Sequence, residues 1–262
     1  MLKIQISSIG PGQLIDVERS GNELHDEFFR TCTVMQDTNN YGFPVKESEI
    51  GDTSPERIKQ LFGEYTEHWN RQFVVQVAGC PLKCWYCYVD NLVADKMFTC
   101  GELVDKFRDF KRKIPELNVF HFMGGCPGRY SYLWPLLRQT LDEYGFHDVI
   151  LLTNVILVEN AVYGQRPWTN IPERTLVDAC IKGTNRDNFI KNTGKDMFGV
   201  MMDELQMYLG HKGVYYSMIE QDKLDEGNFT AWLGRDNIDM LKVKMYEATK
   251  KRIKMIEAEE GL

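Results

Sequence analysis

The sequence predicts an α/β protein built on a parallel sheet, and three observations lead there. Short apolar strand signals recur at 73–77, 118–122, 148–153, 175–181 and 213–218; helical or irregular stretches separate them; and the turns richest in glycine and cysteine follow directly on strand ends. Strands alternating with helices imply crossover connections, and ligands of such sheets sit beyond the carboxyl ends of the strands. With 262 residues, 43% hydrophobic and 26% charged, the chain can bury a sizeable core, which excludes disordered, collagen-like and coiled-coil classes.

The elements follow in order. Leu2, Ile4 and Ile6 alternate with polar residues as in a half-buried strand, and Gly10-Pro11-Gly12 then forces a turn before Leu14, Ile15 and Val17. The stretch through Tyr41-Gly42 reads as loop. A helix starts at Ser54-Pro55, with Ile58, Leu61, Phe62 and Tyr65 on one face, and ends near Asn70. Residues 1–70 thus form an irregular N-terminal extension with one helix. The main unit spans 71–220. Phe73–Val77 is a buried-strand signal running into a cysteine loop, and Thr99-x-x-Glu102 offers a capping box to a helix carrying Leu103, Val104, Phe107 and Phe110. Asn118–Phe122 runs into Gly124-Gly125-Cys126-Pro127, and a helix with Leu133, Leu137 and Leu141 stops at Gly145. The segment 221–262 is polar until a last helix from about Ile238 to Glu259, with Leu241, Met245, Ala248 and Ile256 as its apolar stripe.

The formal net charge is −7, so the field of the whole molecule repels phosphate backbones and argues against a nucleic-acid partner. Phe110-Lys111-Arg112-Lys113 and Lys250-Lys251-Arg252 read as solvated helix faces among acidic neighbours. The longest apolar runs, such as Val149–Leu152, fall far short of a bilayer about 30 Å thick, and the first residues lack the layout of a signal peptide. A soluble, cytoplasmic protein without a membrane partner is expected.

Cysteine usage points to chemistry. Of seven cysteines, Cys80, Cys84 and Cys87 fall within eight residues with the spacing Cys-x3-Cys-x2-Cys, which suits metal ligation better than a disulfide framework. Structural zinc takes four closed ligands in paired knuckles, and no second knuckle occurs. Three thiolates on a tight loop instead hold three irons of a 4Fe-4S cube and leave the fourth iron open. A zinc site with a distant fourth ligand, or reduced structural thiols, is the alternative.

This loop, with Tyr86 before the third cysteine and placed after the first strand, resembles the signature of the radical S-adenosylmethionine (radical SAM) superfamily. The resemblance implies a partial (βα) barrel with parallel strands, an irregular N-terminal extension and a C-terminal helix. It implies a metal-binding oxidoreductase whose cofactors are a 4Fe-4S cluster and S-adenosyl-L-methionine, cleaved reductively to a 5'-deoxyadenosyl radical that abstracts hydrogen. Cys80, Cys84 and Cys87 would be the metal ligands, and the backbone near Tyr86 would meet the adenine. Gly124-Gly125-Cys126-Pro127 stands where the family usually has Gly-Gly-Glu-Pro. Gly124 and Gly125 would let the cofactor approach the backbone, and Cys126 would neighbour it as a weak acceptor in place of a carboxylate. Restoring glutamate there is expected to tighten cofactor binding.

Among radical SAM enzymes the chain resembles the glycyl-radical-activating enzymes. Asn154, closing the third strand, would bond the ribose or amino-acid end of the cofactor, and Lys182, after the fourth, would offset its carboxylate. Asp178 does not match that subgroup's spacing. The roughly seventy residues before the first strand depart from it as well, and no sixth βα unit is evident after Ser217, so the barrel is expected to be short or to be completed by the amino-terminal segment. Cys32, Cys100 and Cys180 read as buried structural cysteines, and His25, His68, His121, His147 and His211 form no catalytic constellation.

The reading that follows is an activase-like enzyme acting on a protein glycine or a small molecule, with a reductant such as flavodoxin or ferredoxin as partner and a protein as possible substrate. Radical modification of tRNA or a peptide is a second reading, and a non-catalytic zinc or iron-sulfur binding module a third.

Overall fold

The computed structural model describes residues 2–8, 24, 26–33, 71–87, 94–219, 229, 232–233, 238–241 and 247–260. Its strands are β1 (Ile4–Ser7), β2 (Phe29–Thr33), β3 (Arg71–Val77), β4 (Ala94–Phe98), β5 (Val119–Gly124), β6 (Ile150–Val155), β7 (Thr175–Cys180), β8 (Val214–Ile219) and β9 (Ile238–Leu241). Its helices are α1 (Cys100–Lys113), α2 (Trp134–Glu143), α3 (Glu159–Tyr163), α4 (Arg186–Thr193), α5 (Phe198–Gln206) and α6 (Glu247–Glu260). The strands form one sheet in the order β4-β1-β3-β5-β6-β7-β8-β9, with β2 also paired to β3. From β3 to β9 every neighbouring pair along this path is parallel. The path does not return on itself, so the sheet is a partial barrel.

The free edge of β3 is shared by two antiparallel partners. β2 pairs with its amino-terminal part, from Thr33↔Arg71 to Phe29↔Val75, and β1 meets its last residue through Ile6↔Val77. The carboxyl end of β3, where the cysteine loop begins, is therefore anchored from both sides.

The period of two along each strand sorts side chains onto two faces. Phe73, Val75, Val77, Phe120 and Phe122 face the helices and join Leu103, Val104, Phe107 and Phe110 of α1 in one core. Phe73 makes edge contacts with Phe107, Phe110 and Phe120 at centroid separations of 5.7, 5.2 and 5.3 Å. The capping box forms as expected: Thr99 Oγ1 accepts from Glu102 N at 3.2 Å, and Thr99 N donates to Glu102 Oε2 at 2.7 Å. Lys111, in the last turn of α1, donates to the carbonyls of Pro115 and Leu117, so the basic run there serves the helix end. The opposite, inner face is graded. Val74, His121, Leu152 and Leu176 share one level across β3, β5, β6 and β7, whereas Asn154, Asp178 and Ser217 lie nearer the carboxyl ends.

Three expectations change. The helix expected from Ile238 begins at Glu247, because 238–241 form β9, parallel to β8 from Tyr216↔Ile238 to Ile219↔Leu241. That strand is the sixth parallel member, so the parallel run is not short by one strand. The N-terminal extension contributes the expected strand, β1, and also β2, to which the sequence gives no strand signal, and the segment between the cysteines and α1, unassigned from sequence, contributes β4. The helix expected over 54–70 lies outside the described residues, as do His25 and His68.

Candidate functional site

The loop 78–87 carries Cys80, Cys84 and Cys87 beyond the carboxyl end of β3, all as free thiols. Its shape is imposed by α4. Lys83 N donates to Thr193 O at 2.9 Å, Trp85 N to Asn192 O at 3.2 Å, and the Trp85 indole to Asn192 Oδ1 at 3.1 Å. The same Asn192, 3% exposed, donates from Nδ2 to Lys182 O at 2.9 Å, so one amide ties the cysteine loop to the segment after β7. Burial, and then the neighbouring Cys84, push the Cys80 thiol up to about 12. No three His, Cys, Asp or Glu side chains among the described residues gather tightly enough to hold a single ion. A cubane asks for something else, one thiolate on each of three irons.

Lys182 reaches across the mouth of the sheet to this loop, its Nζ 5.7 Å from the centre of the Tyr86 ring. Burial works against its charge, but Cys180, Tyr86, Cys84 and Asp178 around it hold its pKa above the ordinary lysine value. Burial pushes the Tyr86 phenol up.

The glycines ending β5 are used in an unexpected way. A Cβ on Gly125 would lie 2.3 Å from Gly79 O, and one on Gly124, at φ +97°, 2.9 Å from Val77 N. The close approach that these residues permit here is to the backbone leading into the cysteines, and Gly125 N donates to Val77 O at 2.7 Å. Cys126 is fully buried, and its thiol faces Glu159 Oε1 at 3.5 Å. Glu159, itself 0% exposed, also accepts from Ile156 N at 2.7 Å and Val158 N at 3.0 Å. These two amides flank Leu157, which sits at φ 63°, a left-handed conformation costing about 1–2 kcal/mol for a residue with a Cβ. The buried carboxylate holds that turn. Burial raises the pKa of Glu159, and Glu204, next to it, is raised to about 7 by burial and then by Glu159.

On the inner face a chain of polar contacts crosses the sheet. His121 Nδ1 pairs with Gln72 Oε1, His121 Nε2 with Asn154 Oδ1 at 3.1 Å, and Asn154 Nδ2 donates to Asp178 Oδ2 at 2.8 Å. Cys180 lies beside this chain, its sulfur 3.6 Å from Asp178 Oδ2. Burial raises the pKa of Asp178, opposed by nearby Ser217, Lys182, Cys180 and Asn154. Both amide atoms of Gln76 are buried without a hydrogen-bond partner, and the Asp178 carboxylate and the Ser217 hydroxyl beside it share that face. Buried polar atoms left without partners cost about 1–3 kcal/mol each, so the Gln76 amide on this polar face marks a place for a polar ligand.

The structure thus brings Cys80, Cys84, Cys87, Tyr86 and Lys182 together at the carboxyl end of the sheet, with Asn154 in the adjoining chain. Gly124, Gly125 and Cys126 border the same loop from the helix side. Sequence reasoning missed His121, Asp178, Asn192 and Glu159. Asp178 carried a signal, a charged residue within the buried run Leu176–Ile181, and so did His121, which alternates with Phe120 and Phe122. Cys180 sits on the inner face rather than in the helix-side core, whereas Cys100 is buried at the start of α1. The side chain of Cys32 lies outside the described residues.

No family model matches the sequence, and no curated protein matches it. Among solved structures, TYW1 with a lysine-pyruvate adduct bound matches at a TM-score of 0.50 and 12% identity, over 95% of this chain and 90% of that one. SuiB from Streptococcus suis, bound to its precursor peptide SuiA, matches at 0.48 and 12%, over 65% of this chain and 38% of that one. At these identities the likeness to TYW1, which spans nearly all of both chains, speaks for the fold. Among the described residues no helix is long and apolar enough to cross a membrane.

Proposed function

We propose that this chain, which has the fold of the radical SAM enzymes, works as one. The observation that carries the reading is the three-cysteine loop at the carboxyl end of β3, facing an inner face with unpartnered buried polar atoms. Cys80, Cys84 and Cys87 would each hold one iron of a 4Fe-4S cluster. When bound, the cluster and S-adenosyl-L-methionine supply one-electron cleavage of the sulfonium and hydrogen abstraction from a substrate.

The residues present fit that cofactor. Lys182 supplies a cation for its carboxylate, and Tyr86 gives the loop an aromatic surface beside that cation. Asn154, Asp178 and Ser217 supply acceptors and donors for its ammonium and ribose groups. Cys126 neighbours the site, but its thiol is directed to Glu159, so a carboxylate acceptor for the ammonium comes more naturally from Asp178 than from the end of β5. The substrate in this reading is a protein glycine or a small molecule, as for an activase; RNA or peptide modification would use the same site.

The test is anaerobic reconstitution followed by reduction with dithionite. About four irons with matching sulfide and formation of 5'-deoxyadenosine are expected, and single Cys80→Ala, Cys84→Ala or Cys87→Ala variants should lose both together. One tightly held zinc and no deoxyadenosine would establish the binding-module reading instead. Stimulation of deoxyadenosine formation by protein, peptide or RNA then assigns the substrate class.

A further inference from the structure

Gln76, the last inner-facing residue of β3, is 1% exposed, and neither its amide oxygen nor its amide nitrogen has a hydrogen-bond partner among the described residues. Its placement follows from the strand. Phe73, Val75 and Val77 face the helices, so Gln72, Val74 and Gln76 alternate onto the inner face, and Gln76 ends that row just before the cysteine loop. Met123 of β5, its partner in register, is part-exposed on the same face. The polar chain described above passes Gln76 by: Gln72 is engaged by His121, His121 by Asn154, and Asn154 by Asp178. Asn154, on β6, stands two strands and roughly 10 Å away.

The fold gains nothing from this amide. Two polar atoms buried without partners destabilise the free protein, and an apolar side chain of the same length would fill the space without that loss. Gln76 presents an acceptor and a donor side by side. The inner positions around it on β3 and β5, Gln72, Val74, His121 and Met123, include no Asp, Glu, Lys or Arg, so a carboxylate or phosphate finds no fixed countercharge there. A neutral group with its own N–H and C=O side by side fits instead. A cis amide has that edge, and so does one residue of an extended peptide, whose N–H and C=O point the same way, as in the hydrogen-bonded pairs of antiparallel strands.

We propose that the Gln76 amide holds the substrate through a paired hydrogen bond to a neutral amide, Nε2 donating to its carbonyl and Oε1 accepting from its N–H. The inference rests on the function proposed above for calling this ligand a substrate. Gln76 is then a specificity-determining residue: side chains of β6, β7 and β8 hold the cofactor, and β3 holds the compound that gives up hydrogen. A peptide residue bound this way has its Cα between the two bonded groups, so the pair fixes the direction of its Cα–H bonds. A free lactam presents the same edge without a chain on either side. A nucleobase edge also pairs with glutamine, but its phosphates would meet a chain of net charge −7 and no cation on β3 or β5 of this face.

The experiment compares wild type with Gln76→Met, which keeps the length of the side chain and removes both polar atoms. Saturation-transfer NMR on the cluster-loaded protein holding S-adenosylmethionine measures binding of N-acetylglycine N-methylamide, of N-acetylsarcosine N-methylamide, which lacks the N–H, and of 2-pyrrolidinone. Wild type should prefer the glycine compound to the sarcosine compound about tenfold, and Gln76→Met should lose that preference. Thermal unfolding without ligands should place Gln76→Met at or above wild type; a variant that melts lower and keeps the preference shows an amide bonded within the protein and overturns the proposal. If the variant does not fold, the wild-type preference decides, and equal binding of the two compounds, or of neither, overturns it. Displacement of the glycine compound by 9-methyladenine at equal concentration overturns it in favour of a nucleobase site. Tighter binding of 2-pyrrolidinone than of the glycine compound supports the amide site and assigns a small molecule rather than a peptide. Should the wild type assemble no cluster, the functional reading fails, while the same comparison on the metal-free protein still decides whether Gln76 binds an amide.

Discussion

Cys126 and Asn192 show what single residues do around the cysteine loop. In sequence, Cys126 stands where a glutamate is expected to meet the cofactor, which makes Cys126→Glu a gain in binding. In the folded chain that position is 0% exposed and faces Glu159, whose carboxylate already accepts from two backbone amides and the thiol. A second carboxylate there must bury an uncompensated charge, at about 3 to 5 kcal/mol. Cys126→Glu is therefore expected to lower the midpoint of chemical unfolding strongly and to leave cofactor binding no tighter. A stable variant that binds S-adenosylmethionine more tightly would return the position to its expected role. Asn192→Ala tests the opposite kind of residue, one with no chemistry of its own. It leaves the Trp85 indole and the Lys182 carbonyl without their partner, about 1–3 kcal/mol for each group that stays buried. Iron retention after reconstitution should fall while circular dichroism is unchanged; full retention would show that the cysteine loop holds its shape without α4.

At the scale of elements, α5 is joined to α3 by one carboxylate. Glu204 Oε1 accepts from Asn160 N at 3.0 Å and Ala161 N at 3.2 Å, the free amides of the first turn of α3, while Oε2 is buried without a partner. Its pKa, raised from 4.5 to about 7, means that the folded chain binds the proton more tightly than the unfolded one. Stability from this group is then fully present below pH 4.5, falls as the pH climbs and is lost above about 7. Glu204→Gln keeps the accepting oxygen and removes the charge, so it should flatten that slope and raise the melting temperature at pH 8 more than at pH 5. Equal effects at both pH values would count against it. The same scale explains what could be read from sequence. β3, β5, β6, β7 and β8 are buried runs long enough to be seen, and the capping box marks α1 by local chemistry. β9 is four residues long, and Leu241, Met245 and Ala248 mimic a helical stripe; it exists because β8 offers an open parallel edge, which no local pattern reveals. β2 and β4 likewise exist only through their partners. In the site, the cysteine spacing is local and legible, whereas Asn192 and Glu159 matter through contacts with residues 107 and 33 positions away.

For the molecule as a whole, the candidate cofactor site is assembled from segments far apart in the chain: the loop after β3, the carboxyl ends of β6, β7 and β8, and α4 behind them. The unfolded chain has no such site, so a ligand that binds there stabilises only the folded state. At a concentration a hundred times its dissociation constant, S-adenosylmethionine should add about 2.7 kcal/mol. For a domain of this size each kcal/mol moves the melting temperature by roughly 2–4 °C, so a rise of roughly 5–10 °C is expected for the cluster-loaded protein. The cofactor's amino and carboxylate groups would be held by the open iron as well as by Asp178 and Lys182, so removal of the cluster should shrink the rise without abolishing it. Lys182→Met should shrink it further, because it takes the carboxylate's cation away while keeping a side chain of similar length over Tyr86. Anaerobic thermal unfolding of wild type, Cys84→Ala and Lys182→Met, with and without cofactor, reads these differences directly. An equal rise in all three would mean that S-adenosylmethionine binds elsewhere on the chain, and that the unpartnered groups of the inner face await a different ligand.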